Sequence, residues 1–263
     1  MKFTIHGVRG SVPIPKEGFL RYGGNTSCYE IETEQHQFFC DAGTGFLSAE
    51  LLRDKKDVFV FFTHFHHDHI QGFPFNAGVF KSGKKIVVSS GLLDKNEILS
   101  TMKNYFSGPY FPINIFDDLE HLVVQSLKET TDYLKNETTI NYIKLNHPGG
   151  AVGYSFKNKN KKVVILLDNE FCSSQEEDLL EFCKDADLMV WDGMFTEEEL
   201  ESKAGWGHST IERAEKFTDL SSVKRTLICH HAPNRSDRDI DELKSKISSP
   251  SVDFGHERMS IFL

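Results

Sequence analysis

The chain is poor in the features that would set it apart from an ordinary globular protein. Its 263 residues include only five cysteines, Cys28, Cys40, Cys172, Cys183 and Cys229, an odd number with no C-x-x-C pair. A disulfide framework is therefore not expected, and the thiols read as small buried apolar groups. Long apolar runs are missing too. The longest, such as Val58 to Phe62 and Val163 to Leu167, hold five residues, far short of the ~20 needed to span a bilayer. The opening MKFTIHGVRGSVP lacks the apolar region of a leader peptide, so a cytoplasmic protein without a membrane partner is expected. Positive charge is also in deficit. At a net charge of −9 little offsets phosphate repulsion, which makes extended nucleic acid an unexpected partner while leaving small phosphate esters open. Nothing in the composition speaks against a homodimer.

What is present is a steady alternation of short apolar strands and helices. Lys2 to His6, Ser27 to Thr33, Gln37 to Asp41, Asp57 to Phe62 and Lys85 to Ser89 read as strands in the first half, several of them apolar enough for burial on both faces. Thr139 to Leu145, Val152 to Phe156, Lys162 to Leu167, Leu188 to Trp191 and Arg225 to Cys229 repeat the rhythm in the second. Helices are expected over Phe46 to Arg53, Asp94 to Phe106, Ser174 to Cys183, Ser209 to Phe217 and Asp237 to Ile247, most with a Ser or Asp to cap the start. Phe106 to Phe116 (FSGPYFPINIF) reads as an ordered loop, either overhanging a site or packed on a sheet. The pattern predicts an α/β fold of one domain over residues 1–263, with sheets inside and helices outside. It divides into two half-copies, about 1–135 and 136–263.

The chemistry concentrates after the strand that ends at Phe62, in Thr63-His64-Phe65-His66-His67-Asp68-His69. Imidazole and carboxylate are the ligands that Zn²⁺ and similar borderline cations take. In extended chain His64 and His66 project to one side, and a turn after them brings Asp68 and His69 back toward a second position. One such loop could be an accidental surface cluster. However, His147, Asp168 and the pair His230-His231 also follow apolar strands, and strand ends are where α/β folds build sites. The set is therefore read as a metal centre, with the strand spacing favouring His230 over His231.

The motif His64-x-His66-x-Asp68-His69, followed in order by His147, Asp168 and His230, resembles the signature of the metallo-β-lactamase superfamily, and Asp41-Ala42-Gly43-Thr44-Gly45 resembles its early aspartate-glycine motif. The resemblance runs from about Asp41 to His231 and implies a four-layer αββα sandwich with two divalent metal ions at one edge. The metals would be zinc by default, with manganese and iron as the other candidates. It further implies His64, His66 and His147 on one metal, Asp68, His69 and His230 on the other, and Asp168 bridging them. Asp41 would orient a ligand histidine, and His67 and His231 would stay outside the ligand set.

A second resemblance narrows the branch. Trp191-Asp192, followed by Gly207-His208-Ser209-Thr210, is similar to the region of the ribonuclease Z and phosphodiesterase branch where an acid precedes a Gly-His-Ser-Thr motif. It implies His208 as proton donor to a leaving oxygen, Asp192 holding it, and Asp68 as both ligand and proton acceptor. Asp192 is one methylene shorter than the glutamate usual in ribonuclease Z. Glycine-rich stretches at His6 to Ser11 and Gly23 to Ser27 resemble openings in that branch and are expected to offer amides to anions, with Arg9 and Arg235 as candidate phosphate partners. Gly149-Gly150 would allow close backbone approach to a ligand. The expected activity is hydrolysis of a small phosphodiester, cyclic nucleotides included. The alternatives are trimming of RNA 3′ ends and hydrolysis of thioesters or lactams.

Overall fold

The short apolar strands align into two sheets. The computed structural model of the chain describes residues 1–51, 57–81 and 84–263. The first sheet holds β1 (Lys2–Gly7), β2 (Cys28–Glu32), β3 (Gln37–Cys40), β4 (Val58–Phe62), β5 (Ile86–Ser90) and β6 (Leu122–Val124). The second holds β7 (Thr138–Leu145), β8 (Ala151–Asn158), β9 (Lys161–Leu166), β10 (Leu188–Asp192), β11 (Thr226–Cys229) and β12 (Val252–Phe254), and β13 (Ser260–Phe262) returns to the first. The spatial orders are β13-β1-β2-β3-β4-β5-β6 and β12-β11-β10-β9-β8-β7.

Burial on both faces explains why the central strands, such as β4, β5 and β10, are apolar or buried throughout. In β4, Phe59 and Phe61 face the second sheet in a shared core with Phe38, Tyr154, Phe156, Val163 and Val190. Val58, Val60 and Phe62 face the other way, against Ile98 and Met102 of the helix Lys95–Tyr105. The second sheet does the same. Val164, Leu166, Met189 and Trp191 pack under Leu179, Ala214, Phe217 and Ile240, which are carried by the helices Glu176–Cys183, Ile211–Ser221 and Asp237–Lys244. The result is the expected αββα sandwich. Each large side chain removed from water in these layers contributes about 1.5–3 kcal/mol. The cysteines are unpaired, and Cys28, Cys40, Cys183 and Cys229 are buried as small apolar groups.

The strand directions set the site. β3, β4, β5 and β6 run parallel, as do β9, β10, β11 and β12. β7 and β9 each pair antiparallel with β8, so they point the same way. The C-terminal ends of the parallel strands in each sheet therefore open on a common edge.

Several expectations need correction. The helix expected over Phe46 to Arg53 is a single 3₁₀ turn, Thr44–Ser48, with Ala49 already extended, and its last residues lie outside those described. The side-chain amide of Asn76 donates to the carbonyls of Phe46 and Ala49, taking acceptors that a further helical turn needs. Thr210 and Ser236, rather than Ser209 and Asp237, cap their helices. A helix at Leu127–Leu134, closed by a Ser126/Glu129 capping box, was not expected. Phe106 and Ile115 pack on the first sheet, whereas Tyr110 and Phe111 line a pocket with His67. The packing reading therefore holds for Phe106 and Ile115, and no residue of this loop lines the cleft that holds His66, Asp68, His147 and His208. No described helix is long and apolar enough to cross a membrane.

Candidate metal centre

Six strand ends deliver the chemistry. Asp41 follows β3, Thr63 and His64 follow β4, His147 follows β7, Asp168 follows β9, Asp192 closes β10 and His230 follows β11. After His66 the chain turns into the short helix His67–Ile70, which carries Asp68 and His69 inward. Asp41, Asp168 and His230 stand at φ of 61°, 53° and 58°. Asp and His tolerate this left-handed region better than most residues, and strained positions of this kind gather at functional sites.

Two ligand sets face each other across Asp168. Its Oδ2 lies 3.6 Å from both His64 Nε2 and His147 Nε2, and His66 Nδ1 lies 3.1 Å from His147 Nε2. Its Oδ1 lies 3.2 Å from both His69 Nε2 and His230 Nε2, each of which is 3.4 Å from Asp68 Oδ2. A tetrahedron with bonds of ~2.0–2.1 Å has edges of about 3.3 Å, so the donor spacing matches the shell of a zinc-sized cation.

The hydrogen bonding also calls for a cation. His69 donates Nδ1–H to Asp41 Oδ2 at 2.8 Å, which leaves the Nε2 lone pair facing two carboxylates. His64 Nε2, His69 Nε2, His230 Nε2 and Asp168 Oδ1 are all buried without a hydrogen-bond partner. Acceptor against acceptor in a dry site is costly unless a cation or proton lies between them. The residues present therefore fit divalent metal. Without it, burial opposes charge on His69, but Asp168, Asp68 and Asp41 outweigh burial and hold its pKa well above the usual range.

Beside this cluster, His208 gives Nδ1–H to Asp192 Oδ2 at 2.9 Å. The amides of Asn169 and Met194 also donate to Asp192, at 3.2 and 3.1 Å. The shorter aspartate reaches because β10 ends directly beneath the histidine. Burial disfavours the His208 cation, yet Asp192 outweighs it and pushes the pKa up to about 9. Ser11, His66, Asp68, His147, Pro148, Asp168, Trp206, His208 and His230 line one cleft of about 150 Å³.

A sequence model of the beta-lactamase superfamily domain matches residues 36–231. The chain belongs to the metallo-β-lactamase superfamily. It is a metal-dependent hydrolase of that superfamily, and the curated relatives it resembles include ribonuclease Z. Ribonuclease Z of Prochlorococcus marinus strain MIT 9301 is 25% identical over 253 residues, covering 76% of this chain and 79% of that protein. The probable metallo-hydrolase YhfI of Bacillus subtilis is 26% identical over 236 residues, 88% of this chain and 86% of that one. Its crystal structure superimposes with a TM-score of 0.72 at 16% identity over 99% of both chains. A diphosphatase of the PhnP family superimposes with a TM-score of 0.68 at 13% identity, over 100% of this chain and 97% of that one.

Within this superfamily scaffold, outer contacts hold the histidines. Asp41 also accepts from the Thr63 amide and hydroxyl at 2.8 and 2.9 Å, and His147 gives Nδ1–H to the Gly207 carbonyl at 2.8 Å. Removing such a partner typically costs ~10–100-fold in metal affinity. Asp41→Asn is therefore expected to weaken zinc binding by that factor in a competition titration with a chelator, and wild-type affinity in the variant would refute the role.

The structure also separates neighbours that the sequence left ambiguous. His230 faces the cluster. His231 turns away, with Nε2 2.9 Å from the Gly255 carbonyl, its pKa lowered to about 3 by burial and by the nearby Arg9 cation. His67 is exposed and bonded to the Tyr105 hydroxyl. Gly149 and Gly150 stand in a turn at φ of 83° and 86°, and a Cβ on Gly149 would meet only His66 Nε2, at 3.8 Å.

Arg9 and Arg235 are structural and not phosphate partners. Arg9 is fully buried and spends its guanidinium on the carbonyls of Gly23, Ala232, Arg235 and Phe19. Arg235 is buried against Glu199 and the Met194 carbonyl. The glycine-rich openings are likewise not free to receive anions. The amides of Val8, Arg9, Gly10, Asn25 and Thr26 all have internal acceptors, and Ser11 donates its amide to Asp68 Oδ2 at 2.7 Å. That last contact, which fixes a ligand carboxylate from 57 residues away, had no signal in the sequence. Gly10 had a readable one as a glycine: a Cβ there would lie 2.6 Å from His230 Cε1.

Proposed function

We propose that the protein is a phosphodiesterase acting on a small substrate. Two zinc ions would sit at the paired ligand sets, His64, His66 and His147 with one, Asp68, His69 and His230 with the other, and Asp168 between them. The observation that carries this reading is the His208–Asp192 pair, with His208 lining one narrow cleft together with His66, Asp68, His147, Asp168 and His230. A bound pair of divalent cations supplies Lewis acidity and a water acidified to near-neutral pH. The chain supplies the rest. Asp68 Oδ2, steadied by the Ser11 amide, accepts the proton of the attacking water. Asp192 holds His208 in the tautomer or cation that presents Nε2–H, and that proton passes to the departing oxygen. A cleft of about 150 Å³ admits a phosphate and its nearest substituents, and a net charge of −9 favours a small substrate over a long polyanion.

The ribonuclease Z relatives favour a second reading, a nuclease that trims RNA 3′ ends. A hydrolase of thioesters or lactams would not need His208. The test is turnover by zinc-loaded protein of bis(p-nitrophenyl) phosphate, a precursor transfer RNA, a thioester and a β-lactam. Diester turnover well above that of the acyl substrates is expected. Processing of the RNA in preference to the small diester would replace the first reading with the second, and acyl turnover alone would overturn both.

A further inference from the structure

Trp206 stands on a surface loop whose backbone is held on both sides by one carboxylate. Its neighbours Gly205 and Gly207 adopt φ of 86° and 87°, a region closed to most side chains. The Glu170 carboxylate accepts from both of their amides, at 2.7 and 2.9 Å. Glu170 is tied down in turn: its amide donates to the Asn146 carbonyl at 2.8 Å, and the Asn146 side chain donates back to the Glu170 carbonyl at 3.0 Å. One residue thus links the strand ends that carry His147 and Asp168 to the loop that carries His208.

The same anchoring holds His147 through the Gly207 carbonyl, and it also fixes an indole at the rim of the metal-lined cleft. Trp206 lines that cleft and packs edge-on against buried Phe195 at 6.3 Å, while 61% of its surface stays open. The cleft is lined by neither Lys nor Arg among the described residues. A substituent too large for about 150 Å³ must leave past the rim, where the group offered to it is an aromatic face and not a positive charge. Stacking on such a face is worth a good deal and tolerates any ring.

We propose that Trp206 is a stacking platform for an aromatic ring carried on the phosphate ester, a nucleobase or an aryl group, with Glu170 as its positioning residue. The proposal rests on the phosphodiesterase reading of the same cleft and specifies the substrate class. The substrate is an aromatic phosphate ester, recognised at the rim by its ring.

Tryptophan fluorescence reports on this directly, because the chain has two tryptophans and the other, Trp191, is 1% exposed. Zinc-loaded protein would be titrated with adenosine 5′-monophosphate and, as the ringless control, ribose 5-phosphate, with calorimetry giving affinities for the variants. The nucleotide is expected to quench the emission and to bind roughly five- to hundredfold tighter than the control. Trp206→Ala should lose that preference, and Trp206→Phe, which keeps a ring, should retain most of it. Glu170→Ala should lose it as well, with rescue by Glu170→Gln, which retains an acceptor oxygen. Equal affinity for the two ligands in the wild type, or a preference that survives Trp206→Ala, would overturn the platform. Diester turnover without a ring preference would sink the platform alone, whereas a Trp206-dependent preference without diester turnover would sink the phosphodiesterase reading and leave the platform standing.

Discussion

Asp168→Asn is expected to release metal and cut turnover by roughly 10²–10⁴-fold, the several kcal/mol that metal-ion stabilisation of a transition state supplies. Asparagine is the informative replacement. Asp168 has φ 53°, and Asn tolerates that region nearly as well as Asp, so backbone strain stays out of the result. What changes is the charge. The two carboxylate oxygens each face two imidazole nitrogens, at 3.6 Å on one side and 3.2 Å on the other. An amide keeps one oxygen for one side and turns an NH₂ toward the other. Elemental analysis of the purified variant should show less than the wild-type complement of zinc. Thermal unfolding supplies a second readout: metal that binds only the folded state stabilises it, by about 4 kcal/mol at a thousandfold excess over Kd. Zinc should raise the melting temperature of the wild type far more than that of the variant. Full zinc content with normal thermal response in Asp168→Asn would remove it from the centre.

His208→Ala separates chemistry from metal binding. Loss of a general acid typically costs ~10²–10⁴-fold, and here zinc content should hold, because the His208 Nδ1–H is spent on Asp192. The loss should depend on the leaving group. An alkoxide departs poorly without a proton, whereas p-nitrophenolate needs little help, so an alkyl or cyclic diester should suffer far more than bis(p-nitrophenyl) phosphate. Asp192→Asn should follow the same order with a smaller loss, since the imidazole remains but its tautomer and charge are no longer held. An equal loss for both leaving groups would argue against proton donation. Zinc lost along with activity would instead make His208 a ligand, which the proximity of Asp168 Oδ2 at 4.0 Å makes worth measuring.

The residues that converge in the cluster were legible because metal chemistry is written in residue type and local spacing. His64, His66, Asp68 and His69 lie within one loop, and His147, Asp168 and His230 each end an apolar strand. Parallel strands deliver their C-terminal ends to one edge, so strand-end position stands in for proximity. The layered fold was legible for a similar reason, since strands apolar on both faces need cover on both. Elements of three residues, β6, β12 and β13, are too short for periodicity to register. The helix at Leu127–Leu134, by contrast, carries a readable S-x-x-E signal in Ser126 and Glu129.

What the amino-acid sequence determined by itself, then, is the layered architecture, the set of candidate metal ligands and the candidate acid His208. Tertiary structure alone decided the fate of the charges and amides. Arg9 is silent because Gly23, Ala232 and Arg235 bring carbonyls from as far as 226 residues away. His231 is excluded by a single carbonyl at Gly255. Glu170 accepts from glycine amides 35 and 37 residues downstream. A hydrogen bond needs its partner within about 3 Å at a set angle, and chain spacing does not encode which distant carbonyl will arrive there.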